Sequence, residues 1–213
     1  MKLPLWRLTT LRRQLFEFAG STRHSRPSVG GIEDKLCRYL PDPGVFVEAG
    51  ALDGCFESNT YYLERFCAWR GVLIEPVPEM FARLAVNRPR AQAFHCALVS
   101  RDFADRTIPV VSDHAVSHVG HDAGARGQVQ VPARTLTSVL DEAGVDHVDL
   151  LSLDVEGFEI QVLNGLDFLR HTPRYILVEC LDAERKAEMD RFLTGRYRFV
   201  ETFTYRDFLY AAR

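Results

Sequence analysis

Carboxylates grouped around a glycine loop are the residues of this chain best able to do chemistry. The run Glu48-Ala49-Gly50-Ala51-Leu52-Asp53-Gly54 directly follows the apolar stretch Val45-Phe46-Val47. Ligands of open α/β sheets sit at the carboxyl ends of strands, so a loop at this place is positioned to bind one. A pyrophosphate would call for the triplet G-x-G-x-x-G, whose glycines admit phosphates to a helix N-terminus; the run lacks it. Glu48 and Asp53 would repel that anion and favour a ligand with cationic groups. S-Adenosylmethionine has no phosphate and bears a sulfonium and an ammonium, so charge selects it over NAD. Glu75 ends the next apolar run, roughly 20 to 30 residues on, where an acid accepts the ribose hydroxyls of a bound nucleotide.

A second acidic group follows the apolar run Leu150 to Leu153. Transfer of a methyl group from a sulfonium is largely positioning, which can supply roughly 7 to 11 kcal/mol. A hydroxyl acceptor also needs a base within hydrogen-bond reach. Asp154 is the first candidate and Glu156 the second, with Gly157 allowing the backbone to turn near a ligand. The plainer alternative is that both acids orient loops or cap the next helix. Asp154, Glu156 and Glu179 could also contribute to an oxygen-rich Mg²⁺ site, because hard cations take carboxylates, although no dedicated spacing marks one. His114, His118 and His121, with Asp113 and Asp122, read as solvated loop polarity before they read as a metal or base cluster. His95 and His147 lie beside strands and read as structural.

Composition sets the bounds. The 213 residues suffice for one domain with its own core, and 46% apolar with 26% charged residues is the balance of a soluble globular enzyme. A net charge of -3 gives no basic footprint for nucleic acid. Five scattered cysteines fit buried, reduced thiols and a cytoplasmic location better than a disulfide framework. Residues 1–31 read as a separate N-terminal unit, an amphipathic helix of interleaved basic and apolar residues followed by a linker from Thr22 to Gly31. It has neither a signal-peptide core nor a membrane-spanning length. Packing on the domain is the default for this helix; contact with a membrane surface and a cap over the substrate pocket are the alternatives.

Residues 32–213 alternate short apolar runs with helical patterns, the order of a parallel sheet with helical crossovers. Strands are expected at 45–47, 71–75, 93–99, 148–153 and 175–179. Helices are expected at 58–69, after Pro76 and Pro78, at 136–143, 159–169 and 183–193. The strand-like runs 197–204 and 207–211 close the chain as an antiparallel hairpin. Between Asp102 and Ala133 the rhythm breaks into an inserted β-hairpin, with strands near 107–111 and 128–131 and a polar, Gly-rich tip.

These motifs also resemble a family. Phe46 to Gly54, Ser58 to Glu64, Trp69 to Pro76, Asn87-Arg88, Cys96 to Val99 and Asp149 to Glu159 together are similar to the ordered motifs of FkbM-type methyltransferases. The resemblance spans about Gly44 to Glu179; Leu52 departs from it, since relatives often carry Asn there. It implies a Rossmann-like α/β fold of the class I methyltransferase type, a mostly parallel sheet finished by an antiparallel hairpin. It further implies methyl transfer from S-adenosylmethionine to a hydroxyl of a sugar, polyketide or other secondary metabolite, hence a small-molecule or glycan acceptor. Carried over residue by residue, Glu48, Gly50, Ala51, Asp53 and Gly54 would line the methionine end. Ser58, Asn59 and Thr60 would lie near its carboxylate, and Glu75 with Pro76 would hold the ribose. An NAD-binding oxidoreductase and a non-catalytic module on the same fold are the competing readings.

Overall fold

The computed structural model describes residues 5–40, 43–111 and 128–213, with side chains from Leu8 onward. The N-terminal part holds α1 (Leu5–Phe18), a short 3₁₀ turn (Val29–Gly31) and α2 (Ile32–Leu36). There follow β1 (Val45–Ala49), α3 (Tyr61–Phe66), β2 (Arg70–Ile74), α4 (Pro78–Asn87), β3 (Gln92–Phe94) and β4 (Ala97–Leu98). The insert contributes β5 (Thr107–Val111) and β6 (Gln128–Arg134). The remainder is α5 (Leu136–Ala143), β7 (Leu150–Leu153), α6 (Glu159–Asn164), β8 (Tyr175–Glu179), α7 (Ala183–Leu193), β9 (Tyr197–Thr202) and β10 (Asp207–Ala212).

Seven strands form one sheet in the order β3-β2-β1-β7-β8-β10-β9, and only β10 runs against the others. The central strands are apolar throughout because both faces are covered. Val47, Val72, Ile74, Leu151, Leu153 and Ile176 pack with α5, α6 and α7 on one face. Phe46, Leu73, Leu150 and Leu177 face the other way, onto Ile32 and Leu36 of α2, Leu63 of α3 and Leu84 of α4. This period of two is what fixes the register. It also aligns the carboxyl ends of β1, β2 and β7, so that the loops after Ala49, Ile74 and Leu153 meet at one edge.

Several elements depart from the sequence expectation. The strand expected over 93–99 is divided: His95 donates from Nε2 to the Pro76 carbonyl at 3.0 Å and stacks on Phe81. The chain there leaves the main sheet, and β4 joins a second sheet, β4-β6-β5. The insert is therefore a hairpin with a third strand and its own apolar core of Val77, Ala97, Val99, Ile108, Val110 and Val131. The tip, with His114, His118, His121, Asp113 and Asp122, lies outside the described residues. α3 starts at Tyr61 rather than Ser58, because residues 58–60 are engaged by Glu48; it stops before Ala68, whose φ is +56°. α6 ends at Asn164, well short of Leu169.

The helix α1 docks through its polar side. Glu17 accepts from Ser25 Oγ, Tyr61 Oη and Arg65 Nε at 2.8 to 3.0 Å. Leu8, Leu11, Leu15 and Phe18 stay exposed, so the face expected to pack is the one left in water. The segment after it is not a loose linker, since Ser25 is fully buried and Ser28 exchanges hydrogen bonds with Glu33. All five cysteines are free; Cys37 is exposed and Cys67 half-buried, against the expectation of burial for each.

Candidate active site

Gly50 opens the loop after β1 with φ +82°, and a Cβ there would lie 1.7 Å from the Asp154 carbonyl oxygen. Only glycine fits, and its absence of a side chain lets the loops after β1 and β7 touch. The N–H groups of Gly50 and Ala51 both donate to the Ile74 carbonyl, drawing the third loop in.

The cleft at this edge is lined by Gly50, Leu52, Glu57, Glu75, Pro76, Ala97, Asp154, Glu156 and Phe158 among others. Glu75 is 1% exposed, with one carboxylate oxygen accepting Leu52 N–H and the other Val77 N–H, each at 2.8 Å. Burial lifts its pKa from the ordinary 4.5 to about 7, against those two donors. One lone pair on each oxygen remains free to accept a further hydrogen bond.

The other acids expected at the methionine end are arranged differently. Glu48 is buried and accepts from Ser58 Oγ, Asn59 N–H and Thr60 Oγ1 at 2.6 to 2.8 Å. The residues expected near a ligand carboxylate thus face a buried protein carboxylate. Ser58 Oγ in turn accepts from the N–H groups of Thr60 and Tyr61, so these two donors at the start of α3 are already engaged within the protein. Asn59 donates from Nδ2 to Ser152 Oγ at 3.1 Å, and its buried Oδ1 has no partner. Asn59, Glu48 and Ser58 line a small cavity adjoining the cleft. A buried acceptor without a donor costs stability, and an ammonium group would satisfy it.

Arg88, whose role the sequence did not reveal, holds this node together. It is 2% exposed and donates to Glu64 Oε2 at 2.7 Å, Gly54 O at 3.0 Å, Thr60 Oγ1 at 3.1 Å and Ser58 Oγ at 3.2 Å. Glu48 lies 3.8 Å from the same guanidinium. Gly54 has φ +78°, and a Cβ there would come within 2.7 Å of Arg88 Cγ. Ala51 packs into the core, and neither Ala51, Gly54 nor Thr60 lines the cleft. Asp53 caps its own turn by accepting from Cys55 and Phe56 N–H, and it opens onto a different cavity beneath α1.

Asp154 stands at the cleft floor within hydrogen-bonding reach of Glu179. Crowding by protein, then the charge and hydrogen bond of Glu179, then Glu156 and Asp207, raise its pKa well above the carboxylate range. The Asp154 side chain also meets water in the open cleft. Glu156 (φ +53°) and Gly157 (φ +92°) make the turn that follows. Buried Glu159 accepts from Gly157 and Val155 N–H, and Arg185 holds the Gly157 carbonyl at 2.8 Å. Among the described residues no three His, Cys, Asp or Glu side chains converge as a metal site; Asp154 and Glu179 lie close together as a pair of acids.

Glu57 is a residue that the sequence did not single out. It lines the cleft and the cavity beneath α1, has φ +54°, and has a pKa raised by partial burial and by Glu179. Nothing in its flanking residues signals that role, which depends on the left-handed turn.

Comparison with known proteins agrees with this fold. The family model described as a methyltransferase FkbM domain matches residues 48–206. The fold is similar to that of an FkbM methyltransferase from Methylobacillus flagellatus KT, with a TM-score of 0.57 at 16% identity, over 95% of this chain and 52% of that one. The chain thus spans about half the length of that relative. It is also similar to a ribosomal protein L11 methylase from Lactobacillus delbrueckii subsp. bulgaricus, with a TM-score of 0.53 at 10% identity, over 86% and 77% of the two chains. No curated protein sequence matches significantly.

Proposed function

Because the chain belongs to the FkbM methyltransferase family, we propose that it transfers the methyl group of S-adenosylmethionine to a hydroxyl of a small-molecule or glycan acceptor, with Asp154 as the base. The family carries the methyltransferase assignment and its cofactor, and it displaces the oxidoreductase and non-catalytic readings. The hydroxyl acceptor is supported by one observation, the Asp154–Glu179 pair on the cleft floor.

The residues present fit the cofactor. Glu75, with a lone pair to spare on each oxygen, would accept the ribose hydroxyls, and the orphaned Oδ1 of Asn59 would accept the ammonium. Glu48 would act at one remove, holding Asn59 in place. S-Adenosylmethionine, when bound, supplies an electrophilic methyl on a sulfonium leaving group. As the acceptor oxygen took the methyl group and the sulfonium left as a neutral thioether, Asp154 would receive the hydroxyl proton. A carboxylate whose pKa is raised is, in its ionised form, a stronger base than an ordinary one.

No helix among the described residues is long and apolar enough to cross a membrane. The exposed Leu8, Leu11, Leu15 and Phe18 support peripheral contact of α1 with a membrane surface. Co-sedimentation with anionic vesicles, lost in Leu11→Ser/Leu15→Ser, tests this; equal sedimentation of both proteins refutes it. Methyl transfer itself is tested with methyl-labelled S-adenosylmethionine and matched alcohols, thiols and amines. Label in the alcohols supports the proposal, whereas label confined to amines or thiols overturns it.

A further inference from the structure

A cavity of about 730 Å³ lies between α1, the Pro27–Val29 segment and the loop of residues 52–57. Phe56, Met80 and Val29 give it apolar walls, and Leu52 and Glu57 belong both to it and to the cofactor cleft. The two spaces therefore share a wall.

One residue in this cavity is out of keeping with its surroundings. Arg13 is only 9% exposed, yet no carboxylate lies within ion-pair distance of it among the described residues. Its Nη2 donates to Cys55 Sγ at 2.7 Å, its plane lies over the Tyr61 ring at 4.5 Å, and its Nε has no partner. The Cys55 thiol cannot neutralise the guanidinium, since burial pushes its pKa up to about 12. Glu17, one helical turn on, is taken up by Arg65, Tyr61 and Ser25. Asp53 lines the same cavity but lies outside ion-pair distance of Arg13, and its Oδ1 accepts from the Cys55 and Phe56 N–H groups. A charge buried without a counter-charge is costly to the fold. An arginine kept so is suited to a planar oxyanion, which its fork of donors can bind through two hydrogen bonds.

We propose that this cavity is the acceptor site and that Arg13 receives an oxyanion, carboxylate or phosphate, carried on an otherwise apolar acceptor whose hydroxyl reaches the cleft past Leu52 and Glu57. The assignment rests on the methyltransferase reading above and narrows its substrate class. It also gives α1 a task, because without this helix the cavity loses one wall and Arg13, and keeps Arg83, which is paired with Glu79.

Calorimetry on the full chain tests it with 10-hydroxydecanoate, 10-hydroxydecyl phosphate and 1,10-decanediol, each with and without S-adenosylhomocysteine. At least one anionic probe should bind about tenfold more tightly than the diol, and the tighter anion identifies the group. Arg13→Gln should abolish the preference while S-adenosylhomocysteine affinity holds. Equal binding of diol and anions, a preference that survives Arg13→Gln, or binding by no probe would overturn the assignment. Should Arg13→Gln fail to fold, Val29→Trp reads the same site from its exposed wall. It should weaken every probe about tenfold, and unchanged affinities would place the acceptor elsewhere. Loss of S-adenosylhomocysteine binding with the anion preference intact would count against the cofactor assignment and leave this one standing.

Discussion

Glu75 links the nucleoside site to pH. Burial lifts its pKa to about 7, while two backbone N–H groups hold both oxygens. Accepting two ribose hydroxyls favours the ionised form, so apparent affinity should follow the ionised fraction. With a pKa of about 7 that fraction is roughly one-tenth at pH 6 and nine-tenths at pH 8. Binding should therefore be about tenfold tighter at pH 8, ~1.4 kcal/mol. The suitable probe is 5′-methylthioadenosine, which carries ribose and adenine but no titrating amino-acid group. Calorimetry in two buffers of different ionisation enthalpy should show a proton released on binding at pH 6 and almost none at pH 8. Glu75→Gln should flatten the profile. A flat profile in the native protein, or the same slope in Glu75→Gln, would refute the reasoning. The same group acts on folding with a definite sign. Between about 4.5 and 7 the folded carboxyl keeps a proton that the unfolded one has lost, so its contribution to stability falls as pH rises through that window.

Arg88→Leu would leave Glu48 and Glu64 buried and unpaired, and should cost about 3 to 5 kcal/mol in denaturant melts; a loss below about 1 kcal/mol would remove Arg88 from its central place. Asp154→Asn should lower turnover by about 10² to 10⁴, the contribution of a positioned base, with S-adenosylhomocysteine affinity nearly intact. In the native enzyme turnover should rise with pH through the raised pKa of the acid pair, and a near-native rate in Asp154→Asn would leave orientation as the source of catalysis. Gly50→Ala must push the loops after β1 and β7 apart, so it should abolish cofactor binding even where the protein still folds; unaltered affinity would show that the contact can yield cheaply.

The layers of the fold were legible because apolar runs buried on both faces read directly as central strands. The places of Glu75 and Asp154 at the cleft were legible for the same reason, each being the acid that terminates such a run. The roles of Glu48 and Ser58 to Thr60 were not, since strand-end position does not reveal whether a carboxylate faces a ligand or its own neighbours. Here three donors within 12 residues claim it first. Arg88 was hidden by its type, as an arginine at a helix end ordinarily reads as solvated surface. The acid at 57 was hidden by backbone, because its place depends on a left-handed turn in a non-glycine residue. Leu52 shows the same conformation, φ +47°, which is the region Asn tolerates, and so gives a physical reason for Asn at that position in relatives. The helix α1 misled for another reason, since its apolar residues announce a buried face and its docking is carried by Glu17 and Arg13.

Titration of the native protein and of Glu75→Ala with S-adenosylhomocysteine, and of the native protein with NAD, tests the central assignment most directly. S-Adenosylhomocysteine should bind the native protein at micromolar concentration, more weakly by about 1.5 to 3 kcal/mol in Glu75→Ala, and NAD should not bind. Binding of NAD without a response to S-adenosylhomocysteine, or identical dissociation constants in the two proteins, would contradict the account.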